Sequence, residues 1–223
     1  MGHVGPFDIH SGAREFFSPG CFPPLSGCAV NTIDVQNAGA QTTHARGFTG
    51  GAQAGYNLQS GNIVYGIETD LQSFRADGSS SRTVNVVSGI AGKVTVGSSI
   101  STAWLFTLRP RAGVVVNNNW LFYVTGGLAV SELKSGWTYA DNVFGDFNAA
   151  SFSKAEAGWT VGGGVEAMLP QNWIIGAEYL FIDFNNISAT IPVLVSGGPG
   201  SDFFNHSADL KSNILRLRLS KHF

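Results

Sequence analysis

The sequence predicts an all-β chain folded as one antiparallel sheet. Three observations support this fold class: segments whose apolar and polar residues alternate with a period of two, connections that alternate between short and long, and a composition low in charge without continuous apolar runs. Charged residues make up 13% of the 223 residues, whereas soluble domains have roughly 25%. A chain of this length can hold a single β-barrel or sandwich domain.

Seven segments alternate clearly enough to be predicted as strands. They are residues 47–57, 62–74, 103–115, 120–133, 155–168, 173–184 and 208–223. In the second segment, Ile63 and Ile67 would share one face of the sheet and Glu68 the other. The segment over 120–133 is ambiguous, because Phe122 and Tyr123 fall on opposite faces.

The connections between these strands alternate in length. The short ones are predicted tight turns at 58–61, 116–119 and 169–172. The long ones are predicted polar loops, rich in Gly, Ser and Asn, at 75–102, 134–154 and 185–207. Loops of this length are uncommon in a compact soluble domain, whereas short turns at one end and long loops at the other are typical of β-barrels that span an outer membrane. The alternation therefore favours a transmembrane barrel over a soluble sandwich.

Five aromatic residues are predicted to form girdles at the strand ends, where amphipathic rings meet the two lipid–water interfaces. They are Tyr56, Trp104, Trp120, Trp159 and Trp173. Trp120 and Trp173 follow short turns directly, and Trp104 and Trp159 are predicted to begin strands that leave long loops. The alternative is a set of core tryptophans in a soluble sandwich.

Four acidic residues and four arginines fall on the polar faces of the strands. They are Glu68, Asp70, Glu166 and Glu178, with Arg109, Arg111, Arg216 and Arg218. In a membrane barrel these faces line the lumen, where arginine can bond carboxylates through two nitrogens. The interior of an eight-stranded barrel is only just wide enough for side chains to fill. We therefore predict a polar plug with a structural role; in a sandwich, the same residues would lie on a solvated face.

The front of the chain is atypical, and we divide the chain into an N-terminal segment with the first external loop at 1–45 and a barrel at 46–223. Residues 1–30 lack the basic start and apolar core of a secretory signal. Cys21 and Cys28 either pair in an oxidising periplasm or stay as thiols. Single-chain bacterial barrels have an even number of strands. The missing first strand is therefore expected either at 27–36 or upstream of this chain, and loss upstream is favoured.

Several classes of function are not indicated. The net charge of −2 gives no nucleic-acid-binding surface. The longest apolar runs, such as 120–124, are far shorter than the roughly 20 residues of a membrane-spanning helix. The histidines are scattered, and no grouping of nucleophile, base and acid suggests an enzyme, so neither a catalytic site nor a metal or cofactor is expected.

Five segments, taken in order, resemble the strands of one known family. They are 47–57 (GFTGGAQAGYN), 65–71 (YGIETDL), 123–129 (YVTGGLA), 158–166 (GWTVGGGVE) and 172–183 (NWIIGAEYLFID). The family is that of the small alphaproteobacterial outer-membrane proteins, the 25/31-kDa surface-antigen group within the OmpA-like β-barrel superfamily. The resemblance extends over about residues 46–223.

The resemblance implies an eight-stranded antiparallel up-and-down transmembrane β-barrel in the bacterial outer membrane, with the first strand weak or missing in this chain. It also implies a final strand that the barrel-assembly machinery reads, for which Leu219 and Phe223 are the expected signal. Lys221 stands where the family usually has an aromatic residue. Pro110 replaces a small residue, so a weakened or bulged ladder is expected there.

The function that follows from the resemblance is that of a structural surface protein. Its barrel would contact outer-membrane lipid and lipopolysaccharide, and its long external loops would meet host molecules. The alternatives are a small porin-like channel and a haem-binding outer-membrane protein, in which His44 or His206 would be an axial ligand. An outer-membrane enzyme and a soluble ligand-binding barrel are further alternatives that the residues support less.

Overall fold

The computed structural model describes residues 2–16, 38–39, 41–85, 92–142, 147–194 and 201–222, and nearly all of them are in strands. The strands are β1 (Gly2–Phe16), β2 (Gln41–Ser60), β3 (Ile63–Asn85), β4 (Lys93–Val116), β5 (Trp120–Asp141), β6 (Phe147–Leu169), β7 (Trp173–Leu194) and β8 (Ser201–Lys221). A 3-10 turn, Pro170–Asn172, joins β6 to β7. Within these described ranges, no helix has the length and apolar character needed to cross a membrane.

Each strand pairs antiparallel with its neighbours in the chain, and β1 also pairs with β8, so that the strand order closes as a barrel. The up-and-down antiparallel sheet predicted from the sequence is therefore confirmed. Closure by β1 begins only at Gly2, which lies opposite Thr49 of β2 and Arg216 of β8. From Thr49 and Arg216, β2 and β8 continue towards the short turns, past the residue at which β1 starts.

The first strand does not lie where the sequence analysis expected it. Loss upstream was favoured over a strand at 27–36, but Gly2–Phe16 takes the place between β2 and β8; residues 27–36 lie outside the described residues. The segment was not recognised because its pairing shifts register between Val4 and Phe7, which interrupts any regular alternation. The boundary set at residue 45 falls inside β2.

Two of the three short connections lie where the sequence predicts tight turns, whereas the turn predicted at 58–61 lies at 61–62, because β2 continues to Ser60. In the turn between β4 and β5, Asn117 and Asn118 both have positive φ, at 51° and 55°. The backbone N–H of Asn119 donates to the carbonyl of Val116 at 3.3 Å. Two successive residues of positive φ are the mark of a type I′ turn, whose twist matches the flanking strands and for which Asn is well suited.

The predicted long loops at 75–102, 134–154 and 185–207 are for the most part strand, which corrects the sequence analysis. β3 continues to Asn85, and β4 begins at Lys93. With 23 residues, β3 is roughly 75 Å long at about 3.3 Å per residue, whereas about 9–11 residues suffice to cross the hydrocarbon core. About half of each long hairpin therefore extends beyond the membrane as ordered sheet.

The outward face of the sheet changes polarity along each strand. On β3 the outward residues Tyr65, Ile67 and Leu71 are 49–58% exposed, and they are followed by the exposed Ser73 and Arg75. The same change occurs between Phe48 and Arg46, Val130 and Glu132, Phe181 and Asp183, and Leu215 and Lys211. We call the apolar part, which on β3 is Ile63–Gln72, the membrane half, and the part beyond it, Ser73–Asn85 on β3, the distal half.

The inward face changes polarity in the opposite order. In the membrane half it is polar, with Glu68 and Asp70 buried on β3. In the distal half it forms a hydrophobic core, whose largest fully buried members are Phe74, Leu105, Leu180, Ile182, Phe184, Leu210 and Ile214. The membrane half thus has the polarity expected of a barrel in lipid, and the distal half has that of a barrel in water.

A β-bulge in β4 lies at the level of this change. The register of β4 shifts between Thr102 and Leu105, so the inward residues are at even positions up to Thr102 and at odd positions from Leu105 onward. The Thr102 hydroxyl donates to the carbonyl of Phe74 at 2.7 Å and accepts from the N–H of Ala76 at 3.2 Å. These side-chain bonds satisfy backbone groups of β3 at the bulge.

The polarity change predicts opposite tolerance to charge at two outward positions of β3. We expect Ile67→Arg to lower the free energy of unfolding in liposomes by about 2–4 kcal/mol, because its charge would face hydrocarbon. The matched change Ser79→Arg lies in the distal half and should alter stability by less than about 0.5 kcal/mol. Urea titration followed by tryptophan fluorescence measures both; equal losses would contradict the assignment of the two halves.

Candidate functional site

All eight charged residues singled out from the sequence meet in one cluster inside the membrane half. Each is at most 7% exposed. They come from five strands, with Glu68 and Asp70 on β3, Arg109 and Arg111 on β4, Glu166 on β6, Glu178 on β7, and Arg216 and Arg218 on β8. The paired positions on β3, β4 and β8 are two residues apart, which puts both members of each pair on the inward face.

Arg109 is the centre of the cluster, with a side chain that is 0% exposed. Its Nη2 lies 2.6 Å from Glu68 Oε1 and 2.8 Å from Asp70 Oδ2, and its Nη1 lies 3.2 Å from Glu178 Oε1. One guanidinium thereby joins carboxylates from β3 and β7 across the lumen.

Arg111 makes the bidentate contact of the cluster. Its Nη1 and Nη2 donate to the two carboxylate oxygens of Glu166 at 2.9 Å and 2.8 Å. Nη1 also donates to Glu68 Oε2 at 3.1 Å. Parallel bonds of this kind fix the relative orientation of both side chains, so Arg111 connects β4 firmly to β6.

The two arginines of β8 close the cluster from the last strand. Arg216 donates through Nε to Glu178 Oε2 at 2.6 Å and through Nη2 to Asp70 Oδ2 at 3.0 Å. Arg218 donates through Nη1 to Glu178 Oε1 at 3.0 Å and through Nη2 to Glu68. These contacts join β8 to β3, which is far from it in sequence but lies across the lumen.

Tyr123 belongs to the cluster and was missed by the sequence analysis. Its hydroxyl donates to Glu178 Oε1 at 2.8 Å and accepts from Arg218 Nη1 at 2.6 Å, and the Arg111 guanidinium lies 4.3 Å from its ring centroid. A Cβ atom at Gly164 would lie 2.6 Å from the Tyr123 hydroxyl oxygen. The absence of a side chain at Gly164 therefore makes room for this ring.

Asp70 has two neutral partners, one of which bonds a third neutral side chain, and sequence reasoning missed all three contacts. Thr107 Oγ1 donates to Asp70 Oδ2, and Gln72 Nε2 donates to Asp70 Oδ1, both at 2.7 Å. The hydroxyl of Thr49 on β2 donates in turn to the side-chain carbonyl of Gln72. The inward parity of these residues is readable from the sequence, but their partners are set by the register between strands.

The charge cluster is suited to filling the lumen of the barrel and to connecting its strands across the lumen. Four cations balance four anions, and buried charges persist only when paired in this way. On the side of the short turns, a cavity of about 330 Å³ reaches the cluster at Glu166 and is lined there by Asn57, Asn118 and His222. On the other side, the hydrophobic core of the distal half begins directly beyond Asp70 and Gln72, with Phe74.

The five aromatic residues predicted as girdles are partly or largely exposed on the outward face. Tyr56 is 66%, Trp120 45% and Trp173 38% exposed near the short turns. Trp159 is 46% exposed and packs against Phe181 with ring centroids 5.4 Å apart, while Trp104 is half-buried beside the bulge. Contrary to expectation, Trp104 and Trp159 lie within long strands and not at their starts, because those strands continue into the distal half.

Several other residues from the sequence analysis are placed as follows. Leu219 faces outward and is 64% exposed, and Lys221 Nζ lies 5.8 Å from the ring centroid of Trp173. His44 is exposed on β2, and His206 lies on β8 opposite Ala189. Phe223, Cys21 and Cys28 lie outside the described residues.

The ladder between β4 and β5 is weakened at Pro110, as expected, because neither Arg109 nor Pro110 is paired with a residue of β5, but it is not bulged. Pairing on either side, between Leu108 and Leu128 and between Arg111 and Thr125, keeps one register. Thr125 Oγ1 donates to the Pro110 carbonyl at 2.9 Å, so a side chain connects β5 to β4 where proline has no N–H to donate.

An up-and-down antiparallel barrel with an apolar outward band, a charged interior and short turns at one end is an outer-membrane β-barrel protein. The sequence agrees with this class. The sequence model of the family described as "Outer membrane protein beta-barrel domain" matches residues 24–223, and the chain belongs to this family of outer-membrane proteins.

Relatives include the 31 kDa outer-membrane immunogenic protein of Brucella melitensis, 37% identical over 66% of this chain and 58% of its own length. The 22 kDa outer membrane protein of Rhizobium leguminosarum is 34% identical over 64% of this chain and 56% of its own length. The 25 kDa outer-membrane immunogenic protein of Brucella abortus is 31% identical over 61% and 52%. The chain thus matches little more than half of each relative, and none of these names describes an enzyme.

Among solved structures, Ail, the attachment invasion locus protein of Yersinia pestis, aligns over 96% of this chain and 97% of its own, with 10% identity and a TM-score of 0.28. Neisserial surface protein A aligns over 96% and 95%, also with 10% identity and a TM-score of 0.28. Similarities of this size do not bear on function.

The cluster predicts strong coupling between Arg109 and Glu178. Arg109→Met should lower the free energy of unfolding by about 3–5 kcal/mol, because three buried carboxylates lose a partner. Adding Glu178→Gln makes the cluster neutral again. The double variant should therefore lose about 0.5–3 kcal/mol less free energy of unfolding than the sum of the losses of the two single variants.

Lys154→Met is the control for this cycle. It breaks the ion pair with Glu156, in which the Lys154 side chain is 65% exposed, and should cost less than about 1 kcal/mol. Strictly additive losses for Arg109 and Glu178 would contradict a shared charge cluster.

Proposed function

We propose that the protein is a non-conducting surface protein. Its membrane half anchors it in the outer membrane, and its distal half holds long ordered hairpins outside the cell, where they meet other molecules. The observation that supports this proposal is the change of polarity along the strands. The strands are longer than a membrane crossing requires, and their distal half has the polarity of a sheet that faces water.

Two successive sets of buried side chains fill the lumen, and both support the proposal that the barrel does not conduct ions. The charge cluster occupies the membrane half, and each of its eight charged residues is at most 7% exposed. Beyond it, the core around Phe74 and Leu105, both 0% exposed, is apolar, and ions do not enter an apolar interior without a large desolvation cost. The porin-like alternative would require both fillings to open.

The outward face of the distal half is suited to polar partners. On β3 it presents Asp77, Ser79 and Ser81, all exposed. Arg46 is exposed directly beyond Phe48 on β2, and Arg75 is exposed beyond Leu71 and Ser73 on β3. At that level the phosphates of lipopolysaccharide would meet these guanidinium groups, which bind phosphate well, and host molecules would meet the hairpins further out.

Surface presentation is tested by two matched serine-to-cysteine variants in a background with Cys21→Ser and Cys28→Ser. A membrane-impermeant maleimide should label Ser81→Cys in intact cells, because Ser81 lies in the distal half. Ser60→Cys, at a short turn, should be labelled only after the outer membrane is permeabilised. Labelling of Ser60→Cys in intact cells would reverse the orientation and remove the basis for this function.

The channel alternative is separated by planar-bilayer recordings of the purified protein. We expect no stepwise currents at protein amounts at which a reference porin gives many. Reproducible ion-conducting steps that disappear with the protein would contradict the proposal, because they would require a continuous water path through both fillings.

A further inference from the structure

The sheet of the distal half is open between β6 and β7. The last pair between these strands joins Trp159 to Asp183, at the level where the outward face becomes polar. Beyond this pair, β7 pairs with β8 as far as Leu194, and residues 147–157 of β6 pair with β5. On the side away from β5, no strand among the described residues pairs with residues 147–157, and we call this side the β6 edge.

The burial of the inward side chains agrees with an unpaired edge. Thr160 lies where β6 still pairs with β7, and it is 2% exposed. Lys154 faces inward on the same strand, but its side chain is 65% exposed. Phe152 is only partly buried against the hydrophobic core. Because these residues share one face of β6, the difference arises from the missing neighbouring strand.

The β6 edge lacks the features that usually keep an exposed edge from pairing. Natural edge strands are commonly short, or they carry proline or charges that repel another strand. Residues 147–157 contain no proline, and they are about twice as long as an ordinary strand of roughly 5–6 residues. Their two charged side chains, Lys154 and Glu156, form an ion pair at 2.9 Å, so the edge has no net charge. It is therefore a template for another extended chain.

The outward side chains of the edge are short. From Ala149 to Ala157, every outward residue of β6 is an exposed alanine or serine. A shallow depression of about 500 Å³ continues from Ser151 onto the neighbouring strand, where it is lined by Gly136 and Thr138. The outward side chains of β6 itself therefore leave room for a strand that approaches from the side.

We propose that the β6 edge binds an extended segment of a partner protein outside the cell, which adds to the sheet as a strand antiparallel to β6. The backbone N–H and C=O groups of residues 147–157 form the hydrogen bonds, and an extended polypeptide is the ligand that can satisfy a row of such groups. This binding rests on the proposed exposure of the distal half at the cell surface, and it assigns the contact to one strand.

The inward residues of the edge determine which segments fit. Directly opposed residues share a face, so the inward residues of an antiparallel segment meet Glu156, Lys154 and Phe152 in that order. A basic, an acidic and an apolar residue suit these three positions, each separated by one outward residue. The ion pair within β6 is then exchanged for two ion pairs between the strands.

A second copy of this chain fits the edge less well. Two copies in one membrane point the same way, so their β6 edges could pair only in parallel. A two-fold axis would then bring equivalent residues together, and Lys154 would lie beside the equivalent lysine of the second copy. Like charges directly opposite one another are destabilising, which favours a different partner.

Peptide binding to the full chain in detergent micelles tests the proposal, with fluorescence anisotropy as the measurement. The labelled peptide TKTETVTVT places lysine opposite Glu156, glutamate opposite Lys154 and valine opposite Phe152. The control peptide TETKTVTVT has the same composition with the two charged residues exchanged. It should bind about tenfold more weakly, because two pairs of opposite charge become two pairs of like charge.

Two variants of the protein locate the binding at the edge. The double variant Lys154→Glu, Glu156→Lys should reverse the preference between the two peptides. Lys93→Glu changes a lysine that is exposed on β4, away from the β6 edge, and should leave the preference unchanged. An equal effect of both variants, or equal affinity of the unaltered protein for the two peptides, would overturn the proposal.

Pairing through the backbone is tested with two N-methylated forms of TKTETVTVT. Successive N–H groups of an extended peptide point to opposite sides, so methylation of every second nitrogen should abolish binding in one phase and preserve it in the other. Equal binding of the two forms, or a dimer of this chain that the peptide dissociates, would contradict pairing with a partner protein. Maleimide labelling of Ser81→Cys in intact cells does not depend on the β6 edge, so it distinguishes failure of this proposal from failure of surface presentation.

Discussion

The structure depends on one constraint: in hydrocarbon, every charge and every backbone polar group must find its partner inside the protein, because no water is present to replace it. The membrane half meets this constraint with a ladder of strands around Arg109, whose guanidinium contacts Glu68, Asp70 and Glu178. Since the three carboxylates come from β3 and β7, the same contacts that neutralise charge also hold opposite walls of the barrel together.

Once the strands leave the membrane, the requirement is the opposite: polar residues must face outward to water and apolar residues inward. The sheet meets this requirement without a break in its strands. Because successive side chains alternate between two faces, exchanging apolar and polar residues from Ser73 and Phe74 onward turns the barrel from one suited to lipid into one suited to water. The bulge at Thr102–Leu105 adjusts the parity of β4 at that level. The core around Phe74 then stabilises the distal half as it would a soluble barrel.

Much of the membrane half could be predicted from sequence, because the period of two assigns residues such as Glu68 and Arg216 to the lumen without knowledge of their partners. Tyr123 was not predicted to face the lumen, because Phe122 and Tyr123 are both aromatic and only the neighbouring strands decide which of them faces inward. The strands of the distal half were not predicted, because their Gly, Ser and Asn content suggested loops, although Val94 and Val96 alternate there as in a strand. The place of β1 could not be found from composition, since only pairing with β2 and β8 identifies it.

The most direct measurement of the account is an accessibility scan along the outward face of β3. Nitroxide labels at positions 65, 67, 71, 75, 79 and 81 are exposed in turn to oxygen, which concentrates in lipid, and to a water-soluble nickel chelate. Oxygen should dominate up to position 71 and the nickel chelate from position 75 onward, with the change at the level of Ser73. A smooth profile, or oxygen dominance as far as position 81, would contradict the division of the barrel into a membrane half and a distal half.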